Sequence, residues 1–164
     1  MKIISNTGPI IGLLSIKRMD LLWQLFDQVV IPQAVRRELC VNAADHRGEA
    51  EAIEQYISDG KLAVYQVQND QAVKALYGKL HFGELEVIIG AKECEISLAL
   101  IDEIKARKMA EEFLVDTIGI MGILSLAKRR GLIKTVKDEV DCLRGNGYRI
   151  SEKLYQKFLR QNGE

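Results

Sequence analysis

Short β-branched runs alternate along the chain with stretches of helical period. Lys2 to Ser5 is an apolar run stopped by Asn6-Thr7-Gly8-Pro9 and followed by apolar residues at helical spacing, which predicts strand, turn and helix. Met19 to Phe26 reads as a helix and Val29-Val30-Ile31 as a buried strand. Pro32 stands where helices begin, and the helix after it carries Val35, Glu38 and Leu39. Leu62 to Val67 is a third strand-like run. A helix opens at Gly83 and runs to about Glu93, Ser97 to Ile101 is a strand, and Asp102 to Phe113 is a helix. Leu114-Val115 then leads into Thr117 and Gly119. The tail, Leu126 to Glu164, reads as two more helices split near Gly145-Asn146-Gly147. Strands separated by helices require parallel crossovers, so the pattern predicts an α/β domain. No linker or low-complexity tract interrupts it, and residues 1–164 are expected to form one domain with a helical extension over about 126–164.

Composition narrows the chemistry. The chain is 48% hydrophobic and 28% charged, which favours a packed core over disorder. Its 23 Lys+Arg and 23 Asp+Glu cancel, so bulk electrostatics do not make it a nucleic-acid binder. From Leu126 onward ten Lys/Arg face five Asp/Glu, against thirteen and eighteen before it, a basic arm beside an acidic body. Ordinary amphipathic surface helices would give the same asymmetry. Cys40, Cys94 and Cys142 are an odd, widely spaced set that argues against a disulfide framework or a zinc knuckle and fits a reducing cytosol. No apolar stretch approaches the ~18 residues of a membrane span, so a cytoplasmic protein is expected.

The polar residues at predicted strand ends carry the functional signal. Loops at the carboxyl edge of an open parallel sheet converge on one crevice, whatever their separation in sequence. Asn6 follows the first strand, Asp102 a later one, and Asp116 is read as following the last. Glu38 lies on the helix after the second strand, and Glu84 and Glu86 on the helix before the strand that ends at Asp102. Carboxylates forced together repel unless a cation neutralises them, and hard oxygen donors select Mg²⁺ or Mn²⁺. Each residue also has a purely structural reading: Asn6 as a helix cap, Glu38 as a solvated helix residue, Glu84 as a partner of the helix dipole, Asp102 as an N-cap. His46 to Ile53 nearly repeats His81 to Ile88, but two copies do not make a solenoid. Glu49 and Glu51 of the first copy are set aside because no strand ending in Asp follows at short range.

In order, the motifs resemble the PIN-domain family of metal-dependent ribonucleases, nearest to a VapC-like prokaryotic branch. The matching pieces are Ile4-Ser5-Asn6-Thr7-Gly8-Pro9, Ile31-Pro32 with Val35 and Glu38-Leu39, Gly83-Glu84 with Glu86 and Ile88, Leu100-Ile101-Asp102-Glu103 with Lys105 and Arg107, Thr117-Ile118-Gly119, and the tail Gly147-Tyr148 with Ile150-Ser151. The resemblance implies a three-layer fold, a central parallel sheet flanked by helices plus C-terminal helices. It also implies an acidic site around Mg²⁺ or Mn²⁺ that hydrolyses RNA phosphodiesters. Carried over by position, the first acid falls on Asn6, the second on Glu38, the third on Glu86 or Glu84, and the fourth on Asp102 or Glu103. Helix phase before Val87-Ile88 favours Glu86, and residues two apart on a helix do not share a face. Asn6, Glu38, Glu86 and Asp102 are therefore the expected catalytic set, and Glu84 and Glu103 further metal ligands. Thr7, Lys105 and Arg107 are expected at the substrate. RNA, a cognate antitoxin protein and a second copy of the chain are the implied partners.

Asn6 departs from the family pattern, which usually has Asp. An amide oxygen ligates metal without supplying charge. The alternative is thus a catalytically weakened PIN-fold protein that binds RNA or a partner protein. A receiver-type phosphate switch would need a lysine after the last strand, and Thr117-Ile118-Gly119 offers none.

Overall fold

The computed structural model describes residues 1–42 and 47–164, which form a sheet of five parallel strands flanked by ten helices. The strands are β1 (Lys2–Ser5), β2 (Gln28–Pro32), β3 (Leu62–Tyr65), β4 (Leu98–Leu100) and β5 (Asp116–Ile118), in the order β3-β2-β1-β4-β5. Ile3, Ile4, Val29, Val30, Ile31, Ala99 and Leu100 are all buried, as strands covered on both faces require. The result is the expected three-layer α/β arrangement.

The chain leaves β1, adds β2 and β3 on one side, then returns to place β4 and β5 on the other. The direction of strand addition therefore reverses between β1 and β4, where the loops leaving their carboxyl ends bound a crevice. Register fixes the edge: Ser5 pairs with Leu100, and the Asn6 backbone N–H donates to the Leu100 carbonyl at 3.0 Å.

The connections are α1 (Thr7–Ser15) and α2 (Asp20–Leu25), then α3 (Gln33–Asn42) and α4 (Arg47–Ser58), then α5 (Asp70–Leu76) and α6 (Phe82–Glu93), then α7 (Ile104–Glu112). After β5 follow α8 (Ile120–Arg129), α9 (Val136–Gly145) and α10 (Glu152–Gln161). Helix α6 is buried without interruption from Gly83 to Ala91, touching β1, β2 and β4 as well as α3, α5 and α7. A helix sunk so deeply has no solvent face for carboxylates, so Glu84 and Glu86 must find partners within the protein.

Four boundaries differ from the sequence reading. Helix α5 was not anticipated; polar but for Val73 and its neighbours, it is started by Asn69, whose side chain accepts from the Ala72 N–H at 3.0 Å. The third strand stops at Tyr65. Asp102 lies outside α7, which begins at Ile104. Most consequentially, Asp116 opens β5 instead of following it. Leu114 takes a left-handed φ of 57°, ending the turn after α7, and the strand starts two residues later. Asp116 is thus at the amino edge of the sheet, away from the crevice.

The tail holds α9, α10 and the end of α8. Val136, Val140, Leu143, Tyr155, Phe158 and Leu159 belong to the same buried cluster as the strands. Among the described residues no helix is long and apolar enough to cross a membrane. His46, the first position of the near-repeat, lies outside the described residues. Glu49 borders a hollow with Lys17, Met19 and Trp23, remote from the crevice.

Candidate active site

Asn6 is the first residue beyond β1. Its backbone is extended (φ −83°, ψ 169°) and its Oδ1 accepts from the Thr7 N–H at 2.8 Å, capping α1. Both Asn6 and Thr7 are buried. The Thr7 hydroxyl donates to Oε2 of Glu38, drawing the half-buried α3 carboxylate over the start of α1. That carboxylate lies against the Cα of Gly83. A Cβ there would collide with both carboxylate oxygens, so glycine at 83 is what lets α3 and α6 approach at this point.

Glu84 and Glu86 diverge, as their spacing on one helix dictates. Oε2 of Glu84 accepts from the His81 N–H at 3.0 Å, closing the first turn of α6. Oε2 of Glu86 accepts instead from the Ala34 N–H at 2.9 Å, in the first turn of α3, and its Oε1 is 3.9 Å from Arg37 Nη2. The helix N-terminus there favours negative charge, so burial of Glu86 is compensated by a backbone donor and a cation.

Asp102 follows β4 by two residues. It caps not α7 but α8: its Oδ1 accepts from the Ile120 N–H at 3.0 Å, and Glu103 holds the N-cap position of α7. Arg107 donates through Nε to the Ile101 carbonyl at 2.8 Å, which leaves its Nη2 3.7 Å from Asp102 Oδ1. The Tyr148 hydroxyl donates to Asp102 Oδ2. Burial pushes the Tyr148 phenol well above its ordinary value, and the neighbouring Asp102 charge pushes it further, so the tyrosine stays a proton donor. Gly119 supplies the space, since a Cβ there would strike Asp102 Oδ1 and the Arg107 guanidinium.

These groups open on two hollows. One, of about 860 Å³, is lined by Glu84, Asp102, Glu103, Lys105, Tyr148 and the Tyr77–His81 segment, with Arg149. The other, about 570 Å³, is lined by Glu38, Glu86, Arg37 and Phe82. The expected catalytic residues are therefore brought to one sheet edge but not to one cavity. Asn6 and Thr7 are buried and line neither hollow, although Thr7 is bonded to Glu38, which lines the second. Arg107 faces Asp102, whereas Lys105 reaches the larger cleft.

Among the described residues no group of three or more His, Cys, Asp or Glu is gathered closely enough to hold an ion. The donors present are nevertheless hard oxygens, with Glu84 and Asp102 facing one cleft. Mg²⁺ commonly takes one or two carboxylates, keeps several waters and completes its shell with phosphate oxygens, so this set suits it.

The model of a PIN domain family matches residues 2–164. The chain belongs to the PIN domain family. No curated protein and no solved structure matches it. Membership makes the fold of this PIN domain a nuclease-type fold.

Tyr148 is the site residue that sequence reasoning missed. It stands in the recognised tail motif, yet its hydroxyl meets a carboxylate 46 positions upstream, and no periodicity encodes that pairing. Gly83 and Gly119 carry no side chain to announce a role; that role, admitting a carboxylate where a side chain would exclude it, emerges only from the packing.

Proposed function

We propose that this PIN domain is a Mg²⁺- or Mn²⁺-dependent endoribonuclease. The observation that carries the reading is that Glu84 of α6 and Asp102, just beyond the next strand β4, border one cleft together with the cations Lys79, Lys105 and Arg149. Acids among cations suit a polyanionic strand: the cations hold flanking phosphates while the acids hold a metal at the scissile one. Asp102 and Glu84 would hold that ion, with Glu103 at the rim, and Asn6, Glu38 and Glu86 would support the edge from within. When bound, such an ion polarises a phosphoryl oxygen and lowers the pKa of a water.

The chain's own residues do the rest. Ile120, Arg107 and Tyr148 fix both oxygens of Asp102, so its orientation is set before substrate arrives. Thr7 fixes Glu38 in the same way. As setting, we propose the toxin half of a toxin–antitoxin pair in the cytoplasm, acting as a homodimer on RNA and bound by a cognate antitoxin protein.

A second reading rests on Asn6. Its side-chain oxygen is engaged by the Thr7 N–H and carries no charge, which favours a catalytically weakened member that binds RNA or a partner protein. Incubating a structured RNA with the parent protein and Asp102→Ala, in Mn²⁺ and in EDTA, separates the two. Metal-dependent products from the parent alone support the enzyme; identical, product-free lanes support the binding protein.

A further inference from the structure

Tyr77 and Phe82 form a stacked aromatic pair on the surface, ring centroids 4.3 Å apart and planes inclined by 23°. Large aromatic rings are normally withdrawn from water, yet Tyr77 is 58% and Phe82 45% exposed. Tyr77 stands just after α5, at a tight turn in which Gly78 takes a left-handed φ of 96°, and Phe82 is the first residue of α6. The turn therefore holds Tyr77 against Phe82 on one side and leaves the rest of the ring in solvent. The same ring borders the cleft that contains Glu84 and Asp102, with Lys79, Lys105 and Arg149 also on its wall.

We propose that the Tyr77–Phe82 pair is a stacking platform for one unpaired base of an RNA strand whose backbone runs into the Glu84–Asp102 cleft. The proposal deepens the ribonuclease reading and rests on it. Its physical basis is the combination of an open π face with cations at the same wall, the arrangement by which proteins hold single strands without reading sequence. A base in a duplex is covered on both faces by its neighbours, so the ring has nothing to stack on until the strand is unpaired. A protein partner would need a continuous apolar surface, and although the exposed Ile104 lines the same cleft, charged side chains interrupt its wall. Tyr77 instead sits beside ammonium, guanidinium and carboxylate groups, which match a ligand that is flat and apolar at one end and anionic along its backbone.

The test measures anisotropy of a fluorescently labelled short oligouridylate, and of a duplex of equal length, against the parent, Tyr77→Ala and Tyr77→Phe, at low salt in Mg²⁺ and in EDTA. The same samples are run on a gel for cleavage. Tyr77→Ala should weaken single-strand binding about tenfold, the usual loss when one stacked base is released, while Tyr77→Phe matches the parent. The duplex should bind all three proteins alike and more weakly than the strand. Equal affinity of the parent and Tyr77→Ala for the strand, or no measurable binding by the parent, overturns the proposal and leaves the aromatic pair to a protein partner. Stacking-dependent binding without any metal-dependent cleavage would uphold the platform and count against the nuclease reading alone.

Discussion

Tyr148 donates its hydroxyl proton to Oδ2 of Asp102, tying the segment between α9 and α10 to the residue that leaves β4. The ring also packs over Gly12 of α1, where an added Cβ would approach Tyr148 Cε2 to 3.0 Å. One tyrosine therefore joins the C-terminal helices to α1 and to the loop leaving β4. Removing only the hydroxyl, in Tyr148→Phe, should cost about 1.5 to 3 kcal/mol of stability as one hydrogen bond to a charged group is lost. Metal-dependent cleavage should fall roughly tenfold, with a higher Mn²⁺ concentration at half-activity, because an unanchored ligand binds its ion less well. A Mn²⁺ titration of cleavage checks this, and an unchanged midpoint would show that Tyr148 only packs.

The two acids of α6 should separate by function. Glu86→Ala strands the Ala34 N–H and removes the partner of Arg37, so it should lower the unfolding free energy by about 1 to 3 kcal/mol in urea melts. Glu84→Gln keeps an acceptor for the His81 N–H but removes charge from the cleft. It should leave the melt nearly in place and depress cleavage. If Glu84→Gln cleaved like the parent, the larger cleft would not be where the chemistry occurs.

Close approach of backbone to carboxylate makes a further prediction. Gly83→Ala and Gly119→Ala each place a methyl group against a carboxylate, on Glu38 and Asp102 respectively. Each should destabilise by about 1 to 3 kcal/mol through overpacking and displace the acid it strikes. Gly8, in the first turn of α1, has nothing within 4 Å of its Cβ direction. Gly8→Ala should therefore fold at least as well as the parent, which a thermal melt of the three variants would show.

The same packing explains what could be read in advance. Asn6 and Asp102 were legible because an apolar run halted by a polar residue marks a strand's carboxyl end, and in a parallel sheet all such ends share an edge. Asp116 was misplaced for a local reason: Leu114-Val115 looks like a strand opening, but a leucine in left-handed conformation ends the preceding turn, a state that its side chain does nothing to announce. The choice between Glu84 and Glu86 turned on helix phase relative to neighbours. Because α6 is buried on all sides, its apolar pattern carries no phase; the N–H groups of Ala34 and His81 decide which way each acid turns. The pairing of Tyr148 with Asp102 depends on the docking of α9 and α10, which is set by the whole core.

Glu93 gives the fold a defined acid sensitivity. Burial opposes its ionisation, but the N–H groups of Gln68 (3.0 Å) and Asn69 (2.8 Å) and the Tyr65 hydroxyl (2.9 Å) outweigh it and hold the carboxyl below its ordinary value. The same bond pushes the Tyr65 phenol up to about 12. A lowered folded-state pKa stabilises the protein above the unfolded carboxylate value, and that contribution is lost as pH falls through the folded value. Urea melts of the parent should therefore weaken between about pH 5 and pH 3, and Glu93→Gln should show a shallower dependence over that window. Because the clamp anchors the loop that begins α5, loss of Glu93 should also loosen the segment leading to Tyr77. Parallel pH slopes for the two proteins would remove this role.

Asn6→Asp asks whether the missing charge at the first strand limits the site. Aspartate keeps an oxygen for the Thr7 N–H and is as good an N-cap as asparagine, so the α1 cap should survive. The added charge sits at a buried helix N-terminus, where the dipole favours it, next to Thr7, whose hydroxyl is already committed to Glu38. Repulsion from Glu38 opposes it, and a divalent ion is the natural means of relieving that repulsion. Asn6→Asp should thus bind Mn²⁺ more tightly than the parent by calorimetry and gain stability when the ion is added, in proportion to the logarithm of its concentration. Cleavage should rise with it if charge at this edge is what the chain lacks. Should neither metal affinity nor metal-dependent stability change, the amide at position 6 serves as a cap alone, and the chemistry belongs to Glu84 and Asp102 without it.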